Sequence, residues 1–309
     1  MKPDEKNHRT VHAIILIHRG DSPYLIHTLC QVRRFNPKAK VILIGDYSNS
    51  GHHGIDHYLI SDYNKSASEF TASYTHLSPN RLEFELFCFN RWFILSEFIK
   101  AHQLAHCLYI DSDVLLYADF SELAKKFANY GLTLSCQTAP HCMFVNRVEV
   151  IADFCRYLET NYRQPEKLYA LQELYREMNL INSFDGICDM TLLNRFTKEE
   201  RYDIGDTYQV IGGTIIDHNF NVADPFIEES GHKGIIWENG LPYGRHASSG
   251  ELIRFNAIHF QGAAKRLIPQ YQTGSSCEVL RAKILRKFFW IKQSAISFSR
   301  SILPILNRK

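Results

Sequence analysis

The sequence predicts a mixed α/β fold built round a mostly parallel central sheet, with a basic amphipathic helix appended at the C-terminus. Three observations carry this reading. An apolar strand, a helix and a second apolar strand follow one another near the N-terminus; a later apolar strand runs into the paired carboxylates of Asp111-Ser112-Asp113; and the chain beyond Leu280 is basic and aromatic. Parallel neighbours need a crossover connection, so a strand–helix–strand unit implies a parallel sheet.

Val11 to Ile17 is a continuous apolar run, as expected of a strand buried on both faces. Ser22-Pro23 then opens a helix running to Phe35, with Ser22 as N-cap and Pro23 at its first position. Asn36-Pro37 ends that helix, and Val41 to Ile44 forms the second strand, closed by Gly45-Asp46. Residues 46–80 are polar and rich in turn formers, and are expected to wrap the surface. Glu83 to Ala101 has a helical apolar pattern that leads into the Leu108–Ile110 strand. Beyond the carboxylates the spacing predicts a helix over Ser121–Tyr130, strands at Leu132–Cys136 and Cys142–Val145, and one long helical region from Val148 to Met178. Further strands are expected at Tyr208–Ile216, Ile235–Trp237 and Ala257–Phe260. There is no internal repeat. Residues 1–275 read as one domain and residues 276–309 as a tail.

With 309 residues, 45% of them hydrophobic, the chain can bury a sizeable core. The net charge of +2 is uneven: from Leu280 onward there are eight basic residues and no acidic one, leaving −6 on the remainder. A nucleic-acid binder would spread its charge along a groove or helix face, so that class is set aside. The eight cysteines form no CxxC pair or metal-finger spacing, and the N-terminal segment Met1–Thr10 is polar. This pattern reads as reduced thiols in a cytoplasmic protein without a signal peptide. No apolar stretch reaches the roughly 20 residues needed to span a bilayer. Arg281, Lys283, Arg286, Lys287 and Lys292 are interleaved with Ile284, Leu285, Phe288, Phe289, Trp290 and Ile291. That mixture suits a helix lying on an anionic membrane surface, at the inner face of the membrane, against the blander reading of a helix packed on the domain.

In a strand, residues i and i+2 point to one face, so Asp111 and Asp113 can aim at one spot. Two carboxylates that close repel unless a cation or a proton lies between them. Oxygen ligands of this kind suit Mn²⁺ or Mg²⁺. A second cluster, His259-Phe260-Gln261-Gly262-Ala263-Ala264-Lys265, follows a predicted strand. It offers an imidazole ligand, a glycine that lets backbone approach a phosphate, and a lysine point charge. The bland readings are a turn for the Asp pair, a core position for His259, helix caps for Asp185 and Asp189, and a surface charge for Arg91.

These residues resemble the GT-A-fold, Rossmann-like glycosyltransferases, particularly the branch with glycogenin and the bacterial lipopolysaccharide galactosyl- and glucosyltransferases. Asp111-Ser112-Asp113 matches the DxD motif of that family, and His259…Gly262…Lys265 its HxxGxxK motif. Between them, Asp189 with Leu192-Leu193-Asn194 resembles the helix start that lines the sugar pocket. Arg91, about five helical turns upstream of the pair, stands where the family places an arginine near the nucleotide. The resemblance spans Val11 to Lys265. It implies a hexosyltransferase that takes a nucleotide-sugar donor, UDP-linked in most members, with Mn²⁺ or Mg²⁺. Asp113 and His259 would ligate the metal and Asp111 would contact metal or ribose. Lys265 and the Gly262 backbone would hold the diphosphate, and the His18–Asp21 loop would meet the base. The acceptor would be a saccharide or a lipid-linked sugar, in surface polysaccharide or glycolipid synthesis. The branch implies retention of configuration; an inverting enzyme would instead need a general base, with Asp189 or Asp185 as first candidates. The chain departs from the pattern at His141-Cys142, where members carry a small residue and glycine, and at Arg266-Leu267, where they carry Pro-Trp.

Two other functions fit part of the pattern. Haloacid-dehalogenase-type phosphatases also carry a DxD after an apolar strand. They place it near the N-terminus, usually with Thr or Val two residues past the second Asp, where this chain has Leu115. A non-catalytic nucleotide-binding adaptor is the other.

Overall fold

The computed structural model describes residues 13–182, 184–200 and 202–306, with only the helical path given for 295–306. Val11, Arg308 and Lys309 therefore lie outside the described residues. In chain order the first elements are β1 (Ala13–Ile17), α1 (Leu25–Phe35), β2 (Lys40–Gly45), β3 (Asp56–Leu59), α2 (Lys65–Thr71) and α3 (Leu82–Ala101). They are followed by β4 (Cys107–Ile110), β5 (Val114–Leu116), α4 (Phe120–Lys126), β6 (Leu132–Leu134), β7 (Cys142–Val145), α5 (Glu149–Arg163), α6 (Pro165–Ile181) and α7 (Asp189–Glu199). The C-terminal third contains β8 (Ile204–Asp206), β9 (Thr214–Ile216), β10 (Glu228–Glu229), β11 (His232–Lys233), β12 (Ile236–Glu238), β13 (Leu241–Arg245), β14 (Leu252–His259), α8 (Ile268–Tyr271) and α9 (Ser276–Leu306).

The main sheet has seven strands in the order β3-β2-β1-β4-β7-β6-β8. The β3/β2, β2/β1, β1/β4 and β6/β8 pairs are parallel, while β7 runs antiparallel to both neighbours. The expected mixed α/β fold with a mostly parallel sheet is what the chain adopts. β1, β4 and β7 are buried along their whole length, which explains their unbroken apolar sequences. One face packs on α3, α5 and α7 through Phe93, Phe98, Phe154 and Phe196. The opposite face packs on α1 and α4 through Leu29, Val32, Phe120 and Leu123. A second sheet, β12-β13-β14-β5 with β9 beside β14, encloses its own cluster round Phe220, Phe255 and Phe260.

Several boundaries differ from the sequence expectation. Ser22 does not cap α1, which starts at Leu25; its hydroxyl lies 3.0 Å from His18 Nε2 instead. Residues 46–80 do more than wrap the surface, for β3 is an edge strand of the main sheet. The long helical region breaks at Gln164, because Pro165 lacks the N–H to continue α5 and starts α6 at its first position. The helix expected to reach Tyr130 stops at Lys126, after opening on an Asp119 side chain that accepts from Ser121 N. Tyr208–Ile216 is a strand only at its last three residues, because Gly212 and Gly213 both adopt positive φ just before them.

Asp111 and Asp113 do not share a strand either. The chain turns at Asp111–Val114, closed by Val114 N donating to the Asp111 carbonyl at 3.1 Å, and passes from β4 in the first sheet to β5 in the second. The pair therefore sits at the junction of the two sheets.

Candidate active site

Antiparallel pairing of β14 with β5 sets His259 opposite Val114, and Phe260 N donates to the Asp113 carbonyl at 2.9 Å. Two segments far apart in sequence are thereby fixed side by side. One ligand atom each from Asp111, Asp113 and His259 lie within 4.8 Å of one another. The carboxylates converge as expected, although the cause is a turn and not strand alternation.

The tautomer of His259 follows from its partner. Nδ1 lies 2.8 Å from the His218 carbonyl, which can only accept, so Nδ1 carries the proton. Nε2 faces Asp113 Oδ1 at 3.6 Å. Two carboxylates and an imidazole suit a hard or borderline divalent cation, so the donor set fits Mn²⁺ or Mg²⁺. Lys265 Nζ stands 3.2 Å from Asp113 Oδ2 at the rim. Burial works against the charge of Lys265, but the carboxylate beside it raises its pKa above the ordinary value.

Arg91 holds the other side. NH1 donates to Asp111 Oδ1 at 2.7 Å and NH2 to Asp189 Oδ2 at 2.8 Å. Tyr109 also donates to Asp111 Oδ1, at 2.9 Å. Burial pushes the Asp111 carboxyl up, yet Arg91, then His259 and the Tyr109 hydroxyl, hold it below the usual range. Asp189 is buried at the start of α7 and accepts also from Trp92 Nε1 at 2.9 Å and Met190 N at 3.0 Å. Its lone pairs are largely occupied.

These groups surround one cleft of about 1140 Å³, lined also by His18, Arg19, Tyr24, Glu85 and His218. Ligand pockets run to roughly 300–1,000 Å³, so the cleft has room for more than a single sugar. In the His18–Asp21 loop, the His18 ring lies 2.8 Å from Ser112 Oγ, and Arg19 lies over the Phe87 ring at 4.6 Å. Burial, chiefly, lowers the His18 pKa. Arg91, Asp111, Asp113, Asp189, His259 and Lys265 are thus brought together. Asp185 and Gly262 are not among the lining residues: Asp185 is exposed and paired with Asn182, and Gly262 opens a 3₁₀ turn at φ +60° with free space beside its α-carbon.

Three features escaped the sequence reading. His141 stacks on His259 with ring centroids 4.1 Å apart and planes 13° from parallel, and donates from Nε2 to the Asp217 carbonyl at 2.9 Å. Asp217 Oδ2 accepts from His259 N at 3.3 Å, and its Oδ1 meets Lys233 Nζ at 2.9 Å in a fully buried ion pair. Ligand atoms of Glu85, Cys188 and Asp189 form a second group within 4.8 Å, with Glu85 Oε2 accepting from Ser78 and Asn80. The departure at His141 was visible in the sequence; the Asp217–Lys233 pair had no local signal.

No family model and no curated protein matches the chain. Among solved structures it is similar to mouse xyloside xylosyltransferase 1, at 9% identity and TM-score 0.46, over 69% of this chain and 88% of that one. It is similar to the glycosyltransferase GlyE of Streptococcus pneumoniae TIGR4, at 14% identity and TM-score 0.45, over 92% of this chain and 64% of that one. It is similar also to the galactosyltransferase LgtC, solved with donor and acceptor sugar analogs, at 14% identity and TM-score 0.43, over 89% and 95% of the two chains. These likenesses are remote, and the functional reading rests on the residues of this chain.

Proposed function

We propose that the chain is a metal-dependent glycosyltransferase that moves a sugar from a nucleoside-diphosphate donor, UDP-linked, to a saccharide or lipid-linked acceptor in surface polysaccharide or glycolipid synthesis. The observation that carries this reading is the convergence of Asp111, Asp113 and His259 within 4.8 Å, beside Lys265, in a cleft large enough for a nucleotide and a sugar.

Asp113 and His259 would hold Mn²⁺ or Mg²⁺, with Asp111 as a further ligand. A bound divalent ion supplies positive charge against the diphosphate as its bond to the sugar breaks. Lys265 stands where it would neutralise the departing phosphate, and its raised pKa keeps it charged. His18 and Arg19 border the cleft on the side assigned to the base. Arg91 fixes Asp111 and Asp189, so Asp189 supports the reading as a positioning carboxylate better than as a free general base.

The tail belongs to the same reading. Arg286 donates to Asp21 at 2.9 Å and to the carbonyls of Ser48 and Ser50, while Trp290 meets Tyr47 with ring centroids 5.5 Å apart. Leu280, Ile284, Phe288 and Ile291 are exposed on the other face. Among the described residues no helix is long and apolar enough to cross a membrane. An apolar stripe edged by Lys283 and Lys287 suits the surface of an anionic bilayer.

Thermal-shift measurements with UDP, GDP and ADP, each with and without Mn²⁺, test the reading. One nucleotide should stabilise the chain in a Mn²⁺-dependent way, and Asp113→Asn should abolish the metal dependence. Absence of any nucleotide effect, or an unchanged Mn²⁺ effect in Asp113→Asn, would sink it.

A further inference from the structure

A second cleft, of about 580 Å³, lies between α1 and α9 on the side of the molecule where the tail docks. Its polar wall carries Arg33, Arg34, Arg281 and His52, and its apolar wall includes Leu29 and Leu285. Three guanidinium groups there face one carboxylate, Glu278.

The arginines are held in different ways. Arg33 donates to the His53 carbonyl at 2.8 Å and packs against Gly54, where any Cβ would come within 2.4 Å of its guanidinium carbon. Gly54, at φ +70°, thus makes room for the guanidinium. Arg34 is tied to Glu278 at 3.1 Å. Arg281, one turn along α9, has no ion pair among the described residues. His52 is buried, and its Nε2 has no hydrogen-bond partner. Two guanidinium groups without an ion pair among the described residues, an unpartnered buried imidazole nitrogen and an aliphatic wall make an amphipathic receptor for an anion. Guanidinium groups bind phosphate through parallel N–H donors, and the stem of Arg281 and Leu285 supply apolar contact.

We infer that this cleft binds the phosphate of an anionic phospholipid, with the head group between Arg33 and Arg281 and the start of an acyl chain along Leu285. A free phosphate ester shares the head-group chemistry but has no use for the apolar wall at Leu29 and Leu285. The inference rests on the tail facing a membrane, and it adds a site to what would otherwise be diffuse attraction.

Diffuse attraction depends on the number of charges, with each basic residue near an anionic surface worth about 1 kcal/mol. A site depends on which charges they are. The full chain is floated with vesicles of phosphatidylcholine alone and of phosphatidylcholine mixed with phosphatidylglycerol. Binding is compared for the parent, Arg33→Ala/Arg281→Ala and Lys287→Ala/Lys292→Ala, two double variants that remove the same charge. The cleft variant should lose roughly tenfold more affinity for the anionic vesicles than the lysine variant. Equal losses would leave a membrane-facing tail and overturn the site. No flotation of the parent would overturn both. A thermal shift by inorganic phosphate in a chain that does not float would assign the cleft to a free phosphate and overturn the lipid. Unfolding curves of both variants confirm that neither loss reflects misfolding.

Discussion

Arg91 NH2 lies 2.8 Å from Asp189 Oδ2, and both side chains are withdrawn from solvent, at 14% and 3% exposure. The same guanidinium reaches Asp111 at 2.7 Å, so one cation joins α3, the start of α7 and the carboxylate turn between the two sheets. Removing it would leave Asp189 as a buried charge without its ionic partner, a change that costs about 3–5 kcal/mol where it has been measured. Arg91→Ala should lose stability on that scale in urea unfolding. Arg91→Lys should recover only part of it, because an ammonium cannot make the two directed bonds that the planar guanidinium makes. A loss below about 1 kcal/mol in Arg91→Ala would show that the bridge is incidental.

The proposed metal ligands are not equivalent to the other acidic groups of the loops. Outer partners of metal ligands are worth roughly 10–100-fold in affinity, so a direct ligand should cost at least as much. Asp113→Asn and His259→Ala should each weaken Mn²⁺ binding by roughly tenfold or more in titration calorimetry. Asp185→Asn should leave it unchanged, because that carboxylate is exposed and occupied with Asn182. If Asp185→Asn and Asp113→Asn weaken binding alike, the ion sits elsewhere.

The parallel half of the main sheet was legible because β1, β2 and β4 are buried on both faces and so read as bare apolar runs. β3 was not, since Asp56-His57-Tyr58-Leu59 is a half-buried edge with no alternation to betray it. The ligand types at the site were legible as motifs, but their adjacency was not. His259 meets Asp113 only because β14, from the far end of the chain, pairs with β5 in the second sheet, and such pairing has no local signature. The support of His259 by Asp217 and Lys233 was hidden for a further reason. Lys233 follows Gly231-His232 in a polar, turn-rich stretch, where a lysine is ordinarily solvated. Here it is 1% exposed and donates to the Asn219 and Val222 carbonyls as well as meeting Asp217.

That buried pair makes its own prediction. Lys233→Met removes one charge and strands the other, so it should destabilise the chain by about 3–5 kcal/mol. Replacing both partners, as Lys233→Met/Asp217→Leu, should restore much of that, because the desolvation cost of both charges disappears. Mn²⁺ affinity separates the structural role from the positioning role. The double variant should fold yet bind Mn²⁺ more weakly, having lost the carboxylate that accepts from His259 N. Parent-like affinity in a folded double variant would confine the pair to stability.

His52 gives a pH dependence whose sign is fixed by its surroundings. Burial, and then the nearby Arg286 charge, push its pKa down from 6.5 to about 4. The unfolded chain therefore takes up a proton at this site near pH 6.5 while the folded chain refuses it until about pH 4. Because the unfolded state binds more protons in that window, stability falls as the pH falls through it. The full loss from this group is about 3 kcal/mol at most, from the size of the shift. His18, His27 and His57 are displaced in the same direction by burial, so the parent should show a steeper acid loss than one group explains. His52→Asn cannot titrate, and it forfeits no hydrogen bond at Nε2. Its stability, measured by urea unfolding at intervals from pH 7 to pH 4, should match the parent at neutral pH and fall less steeply below pH 6.5. Parallel curves for the two proteins would mean that His52 takes up its proton as readily in the folded chain as in the unfolded one, and so is not shielded from water as its burial requires.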